Sequence, residues 1–130
     1  MNQSQTQPGP KFPRSSRLLK HADFQTVYQK GRKHFAENIT IFYWRRSDDQ
    51  GPRIGFAVGK VLGNAVERNR IRRRLRAAVQ RKLATITLPL DMVLRPRKAV
   101  QTLEFVRLEA ELERIFATLQ KNTSQKGRSV

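Results

Sequence analysis

Residues 63 to 76 read GNAVERNRIRRRLR, six arginines in fourteen positions, and the apolar residues keep a helical phase through the charge. At about 100° per residue, Ile71, Leu75, Ala78 and Val79 share one arc of roughly 100°, enough to dock a helix on a sheet. The segment therefore predicts a rigid cationic helix with one apolar stripe. Asn69, Arg72, Arg73 and Arg76 lie along one flank and Arg70, Arg74 and Arg81 along the other, while Arg68 falls at the rim beside the apolar arc. Asn64 followed by Glu67 three residues later predicts an N-cap with a capping-box carboxylate.

Charge sharpens the constraint. The chain has 130 residues and a net charge of +17, and from Arg53 to Lys98 there are 13 basic residues against 2 acidic ones. Self-repulsion on that scale gives no stability to a fold, so a polyanionic partner is expected. An ordinary solvated face mixes signs, whereas this one is nearly all positive. Arginine also offers paired donors to phosphate oxygens, which favours docking on a nucleic-acid backbone. Glu104, Glu109, Glu111 and Glu113 put four of the ten acids on the last predicted helix, which is expected to face away from the polyanion. No apolar run approaches the twenty residues of a membrane span, so no membrane is expected. The absence of cysteine removes disulfides and thiolate metal sites and fits a cytoplasmic protein.

The length fits one domain. Residues 1 to 14, rich in Gln, Ser and Pro, are expected to be a disordered tail, 15 to 120 a single domain, and 121 to 130 a disordered basic tail. Phe24, Val27 and Tyr28 suggest a short first helix closed by Gly31 at C′. Asn38 to Trp44 is a β-favouring run, the cluster from Ser47 to Pro52 a turn, and Arg53 to Lys60 a second strand, which together predict a hairpin. That second strand alternates Ile54, Phe56 and Val58 with Gly55, Ala57 and Gly59, so one face is nearly bare and is either covered by a helix or open for binding. Asp91 to Arg95 forms a further strand, and Thr102 caps a final helix with Phe105, Leu108, Leu112, Ile115, Phe116 and Leu119 in the core. Helix, two or three strands, helix, strand, helix makes an α+β sandwich.

Catalytic constellations are sparse. Asp91 stands alone on its strand, Glu67 belongs to a cap, and Asp48 and Asp49 belong to a turn, so no carboxylate cluster for two magnesium ions assembles. His21 and His34 are either surface residues or a general acid/base pair. Phe24, Tyr28 and Phe42 are either core or a stacking platform for unpaired bases.

The segment RIGFAVGKVLGNAVERNRIRRRLR, residues 53 to 76, resembles the signature of the bacterial ribonuclease P protein component. The spacing of Phe24, Val27, Tyr28 and Gly31, and the strand that ends in Arg97-Lys98, extend the likeness over roughly residues 17 to 120. The resemblance implies a two-layer α+β sandwich of order αβββαβα, with a four-stranded mixed sheet and a left-handed β-α-β crossover against the right-handed default. It implies an endoribonuclease that removes the 5′ leader of precursor tRNA, in which a catalytic RNA does the chemistry and holds Mg²⁺. The protein itself then has no catalytic or metal-binding residue and needs no protein partner. By position, Arg68, Asn69, Arg70, Arg72, Arg73 and Arg76 would contact the catalytic RNA, while Phe24, Tyr28, Phe42, Lys60, Arg97 and Lys98 would line a cleft for the single-stranded leader. Two departures stand out. Gly59-Lys60-Val61-Leu62 lacks a hydroxyl and a cation common in the family, and Pro96 and Ala99 alter the surroundings of Arg97-Lys98. The rival readings are a structural RNA-binding protein, such as a small ribosomal protein, and a protein-only nuclease using Asp91 or His34.

Overall fold

The computed structural model describes residues 14–128, with side chains as far as Thr123. Residues 1–13 of the expected N-terminal tail lie outside the described residues. Helix α1 (His21–Lys30) leads into β1 (Arg32–Phe35), β2 (Ile39–Arg45) and β3 (Arg53–Phe56), then α2 (Ala65–Lys82), β4 (Leu90–Pro96) and α3 (Phe105–Arg128). This is the αβββαβα order of an α+β fold, and its four strands form one mixed sheet in the spatial order β1-β2-β4-β3.

The pairing corrects the expected hairpin. β2 and β3 do not touch, because β4 lies between them, antiparallel to β2 from Ile39 opposite Pro96 to Arg45 opposite Leu90, and parallel to β3 from Arg53 beside Asp91 to Phe56 beside Leu94. Leu90 to Leu94 is buried at every position, and a strand with no polar face belongs at the centre of a sheet with both faces covered. The turn cluster instead wraps around the Arg46 guanidinium, which donates to the carbonyls of Gln50 at 3.0 Å and Gly51 at 2.7 Å and to both oxygens of Asp48. The hairpin that does form joins β1 to β2, closed by the Ala36 N–H donating to the Ile39 carbonyl at 3.0 Å.

On one face of the sheet, Ile39, Ile41, Ile54, Met92 and Leu94 meet Ile71, Leu75, Ala78 and Val79 of α2 and Leu108, Leu112, Ile115, Phe116 and Leu119 of α3 in a single core. The apolar arc of α2 thus packs as its period requires. On the other face, α1 covers only part of the sheet, and Val27, Leu18, Phe42 and Val93 form a smaller core with Phe24 and Trp44 at its border. Gly31 ends α1 in extended backbone, not the left-handed turn expected of a C′ glycine. Its missing Cβ matters for space, since the carbonyl oxygens of Val27 and Tyr43 occupy the position a side chain would need.

The final helix also differs from expectation. Thr102 closes a 3-10 turn with its N–H on Ala99, and α3 begins at Phe105, just after Glu104, whose carbonyl accepts from the Leu108 N–H at 3.0 Å. It then continues to Arg128, through the segment expected to be a basic tail from residue 121. Its acids do not form a remote negative face. Glu109 pairs with Arg81 and Glu113 with Lys82 on the neighbouring α2, while Glu111 is buried and accepts from the Asn38 backbone at 2.7 Å and side chain at 2.8 Å.

Asp91, expected to stand alone, is the centre of an ion network. Its carboxylate is 2% exposed and accepts from Arg46 Nη1 at 2.7 Å and from Arg53 Nε and Nη2 at 2.8 and 2.6 Å, with Asp23 3.7 Å from Arg53 Nη1. Burial works against the Arg46 charge, but hydrogen bonds to Asp48 and Asp91 outweigh it and hold its pKa above the ordinary value. Arg53 is raised chiefly by its hydrogen bond to Asp91.

Replacing Asp91 with Ala leaves Arg46 buried with only Asp48 as a counter-charge. Unfolding in urea, followed by Trp44 fluorescence, is expected to show a loss of about 3 kcal/mol, the lower end for a broken buried pair because Arg53 is partly open to water. A loss near zero would mean the network is incidental. A second expectation concerns acid. The Arg46 hydrogen bond, with the Gln50 N–H, holds Asp48 below its ordinary 3.8. A depressed folded value contributes stability that is complete above the unfolded pKa and is lost as pH falls through the folded one. Asp48→Asn should therefore lower Tm at neutral pH, and the gap to the natural chain should close in the acid range below 3.8.

Candidate nucleic-acid interface

Helix α2 is fixed at its start by the capping box expected from the sequence. The Glu67 N–H donates to Asn64 Oδ1 at 2.9 Å and the Asn64 N–H to Glu67 Oε1 at 2.8 Å. Gly63, just before, has φ 131°, a conformation that favours glycine, and the Glu67 carboxylate fills the space a Cβ would take. The turn into the helix is thereby set, and with it the direction of every arginine.

The arginines divide into three groups. Arg74 is half-buried and donates to the Leu103 carbonyl, and Arg81 and Lys82 are paired with α3, so the flank toward α3 is committed within the protein. Arg68 and Arg72 face the rim of the sheet. Arg68 Nε donates to the Gly63 carbonyl at 3.1 Å, and Arg72 Nη1 to Asn69 Oδ1 at 2.9 Å with Nη2 3.5 Å from the Val58 carbonyl. That bond orients the Asn69 amide and leaves its N–H donors for another molecule. Arg70, Arg73 and Arg76 are exposed and have no hydrogen-bond or ion-pair partner among the described residues. Spaced by three, they rise about 4.5 Å per step along the axis. Of the expected set, these three are the ones the fold leaves fully available.

The second surface lies on the sheet face that α1 half covers. Phe24 from α1 fills the space above Gly55, whereas nothing lies within 4 Å of where a Cβ would stand at Gly59. The bare strand face is thus covered at one end and open at the other. Tyr28 is at the edge of α1, its ring 5.0 Å from that of Phe42 and at 85° to it. Phe42 is 5% exposed and forms the floor. Because β3 and β4 are parallel, their C-terminal ends lie side by side. Lys60, in the 3-10 turn after β3, and Arg97 and Lys98, directly after β4, therefore emerge at the same end of the sheet, and all three are exposed. Between those ends is a groove of ≈ 490 Å³ lined by Ala57, Val58, Gly59, Val61, Leu62, Arg95 and Pro96. Val61 is 91% exposed at its lip.

Sequence reasoning passed over Lys33, Arg95 and Phe35. Register shows why they matter: Lys33 lies opposite Phe42, and Phe35 and Arg95 both lie opposite Thr40, so all three share the face of the floor. The signal would have been the alternation in Arg32–Phe35, which four residues with two charges scarcely display. His21 and His34 do not converge, His21 opening α1 and His34 lying opposite Ile41 on the other face of the sheet. Among the described residues, no three His, Asp or Glu side chains gather as a metal site, and no helix is long and apolar enough to cross a membrane.

The chain matches the family described as Ribonuclease P over residues 12–120. It is 36% identical over 119 residues to the ribonuclease P protein component of Acidothermus cellulolyticus, covering 91% of this chain and 99% of the relative. The component of Finegoldia magna is 34% identical over 113 residues, covering 87% and 98%. Among solved structures, the Staphylococcus aureus RNase P protein superposes with a TM-score of 0.70 at 28% identity, over 81% of this chain and 95% of that one. The Thermotoga maritima RNase P protein shares the fold, with a TM-score of 0.68 at 24% identity over 77% and 94%. With its fold, its arginine helix and the match along most of its length in agreement, this chain belongs to the ribonuclease P protein family, the protein component of an endoribonuclease ribonucleoprotein.

Proposed function

We propose that this chain binds a catalytic RNA through the outward face of α2 and holds the single-stranded 5′ leader of precursor tRNA in the half-covered sheet cleft, so that the RNA cleaves one phosphodiester and releases the leader. The observation that carries the reading is the row of unpartnered guanidinium groups at Arg70, Arg73 and Arg76, backed by Arg68, Asn69 and Arg72 at the rim. A row of fixed, desolvation-tolerant donors suits a folded phosphate backbone better than a mobile basic tail does. Phe24, Tyr28 and Phe42, with Lys60, Arg97 and Lys98 at the open end of the sheet, combine apolar surface and positive charge in the way that suits an unpaired strand. Holding the leader adds binding that is independent of the tRNA body, which broadens the range of precursors accepted.

Mg²⁺ belongs to the RNA in this scheme. The carboxylates of this chain do not fit a magnesium site: Asp91, Asp48 and Asp23 lie against arginines, Glu67 caps α2, Glu111 holds Asn38, and Glu109 and Glu113 pair with α2. Asp49, Glu37 and Glu104 are exposed and scattered along the chain. The protein's own contribution is counter-charge and substrate positioning. A chain without cysteine is suited to a reducing cytoplasm, where this reaction would take place.

Adding the purified protein to the catalytic RNA and precursor tRNA, at magnesium concentrations too low for the RNA alone, is expected to restore 5′ cleavage. No gain would favour a purely structural RNA-binding role. Arg73→Ala is expected to weaken binding to the catalytic RNA and to lower the slope of log K against log salt by about one counterion, with Tm unchanged.

A further inference from the structure

The floor of the cleft is occupied in a way that a base-stacking platform would not be. Two cations lie over the Phe42 ring, Arg95 with its guanidinium carbon 4.7 Å from the centroid and Lys33 with its ammonium 5.4 Å away. They arrive from different strands. Lys33 is directly across from Phe42 on the edge strand β1, and Arg95 comes from the central strand β4, two pairs along, opposite Thr40. Tyr28 closes the ring from the side of α1. The Phe42 ring, 5% exposed, is left with no open face for a nucleobase.

Neither cation is neutralised. Both are exposed, and neither has a hydrogen bond or ion pair with any described residue. On the same side of the sheet, Asp91 and Asp23 are committed to Arg46 and Arg53. Each cation is attracted to the ring's quadrupole, which offsets part of the repulsion between the two like charges. Arg95 brings up to five guanidinium N–H donors and Lys33 three ammonium ones to the same ring. Such an arrangement is built for a shared anion. Arg95 also lines the groove that runs on past Ala57 and Gly59, so a strand with a phosphate at the cations has room for its next nucleotide there.

We infer that Arg95 and Lys33 form a two-cation clamp for one phosphate of the single-stranded leader, and that Phe42 is a positioning residue acting through them rather than by stacking on a base. This rests on the leader-binding reading above. The clamp is indifferent to base identity and reads only backbone charge at one linkage.

The test uses the complete complex of protein and catalytic RNA with precursor tRNAs. One set of precursors carries a single neutral methylphosphonate linkage at successive leader positions, and another carries single abasic residues. Arg95→Gln and Lys33→Gln are each expected to weaken binding of the unmodified precursor about fivefold, the size of one exposed charge-assisted contact. At one linkage, neutralisation should abolish the Arg95→Gln loss, whereas no abasic position should. Phe42→Leu should give a loss at that same linkage, and Phe42→Tyr, which keeps the ring face, should restore binding. A loss on Arg95→Gln that is equal at every linkage overturns the clamp, as does a Phe42→Leu loss that vanishes at one abasic position, which would show stacking. If Phe42→Leu does not fold, the two cation variants decide alone. Should the natural complex bind leader-bearing and mature tRNA equally, the leader reading itself falls; a preference for leader-bearing tRNA without linkage dependence sinks only the clamp.

Discussion

Everything in this fold that bears on function follows from the insertion of β4 between β2 and β3. A buried strand needs neighbours on both edges, and β4 takes β2 as an antiparallel partner and β3 as a parallel one. The parallel pairing forces the connection through α2, and it brings the ends of β3 and β4 together. Lys60, Arg97, Lys98 and the groove between them exist because of that single choice of neighbour. Asp91 secures it. Sitting on the central strand, it binds an arginine on β3 and another at the end of β2, so one carboxylate ties three strands together at the end opposite the groove.

The charge is more ordered than a total of +17 suggests. Acids are placed where a cation must be tolerated for structural reasons: Asp91 and Asp48 on the buried Arg46, and Glu109 and Glu113 beside the last turn of α2. Glu67 at the first turn of α2 also sits where the helix dipole favours negative charge. Part of what remains unopposed lies on two surfaces, the outward arginines of α2 and the cations of the half-covered sheet. The two meet at the turn from Gly59 to Gly63, where Arg72 reaches back to the Val58 carbonyl. An RNA lying on α2 and a strand lying on the sheet would therefore be neighbours, and binding either one relieves repulsion that the folded protein bears alone.

How far the sequence could be read depended on how local each interaction is. The cap at Asn64 and Glu67 and the apolar arc of α2 are set within a few residues or by periodicity, and they were legible, whereas the third strand before α2 came only with the resemblance. So was the family, because the residues that carry it are contiguous from Arg53 to Arg76. The hairpin was misread because the competition that decides it is not local. Arg46 captures the intervening turn and binds an aspartate 45 residues away, and nothing in the run from Ser47 to Pro52 shows this. The Phe42 surroundings were hidden for the same reason, since its covering cations belong to a strand of four residues and to a strand far along the chain.

The extent of the cleft is set by where α1 stops. The helix ends at Gly31 because the chain must turn into β1 against the Tyr43 carbonyl, with no room for a side chain. Its aromatic anchor, Phe24, reaches Gly55, and Gly59, further along the chain, is bare. The small residues from Gly55 to Gly59 thus serve two purposes on the same face: the first admits a ring from within the protein, and the last leaves the backbone approachable from outside. On the same face Phe35, on the edge strand, is left 69% exposed.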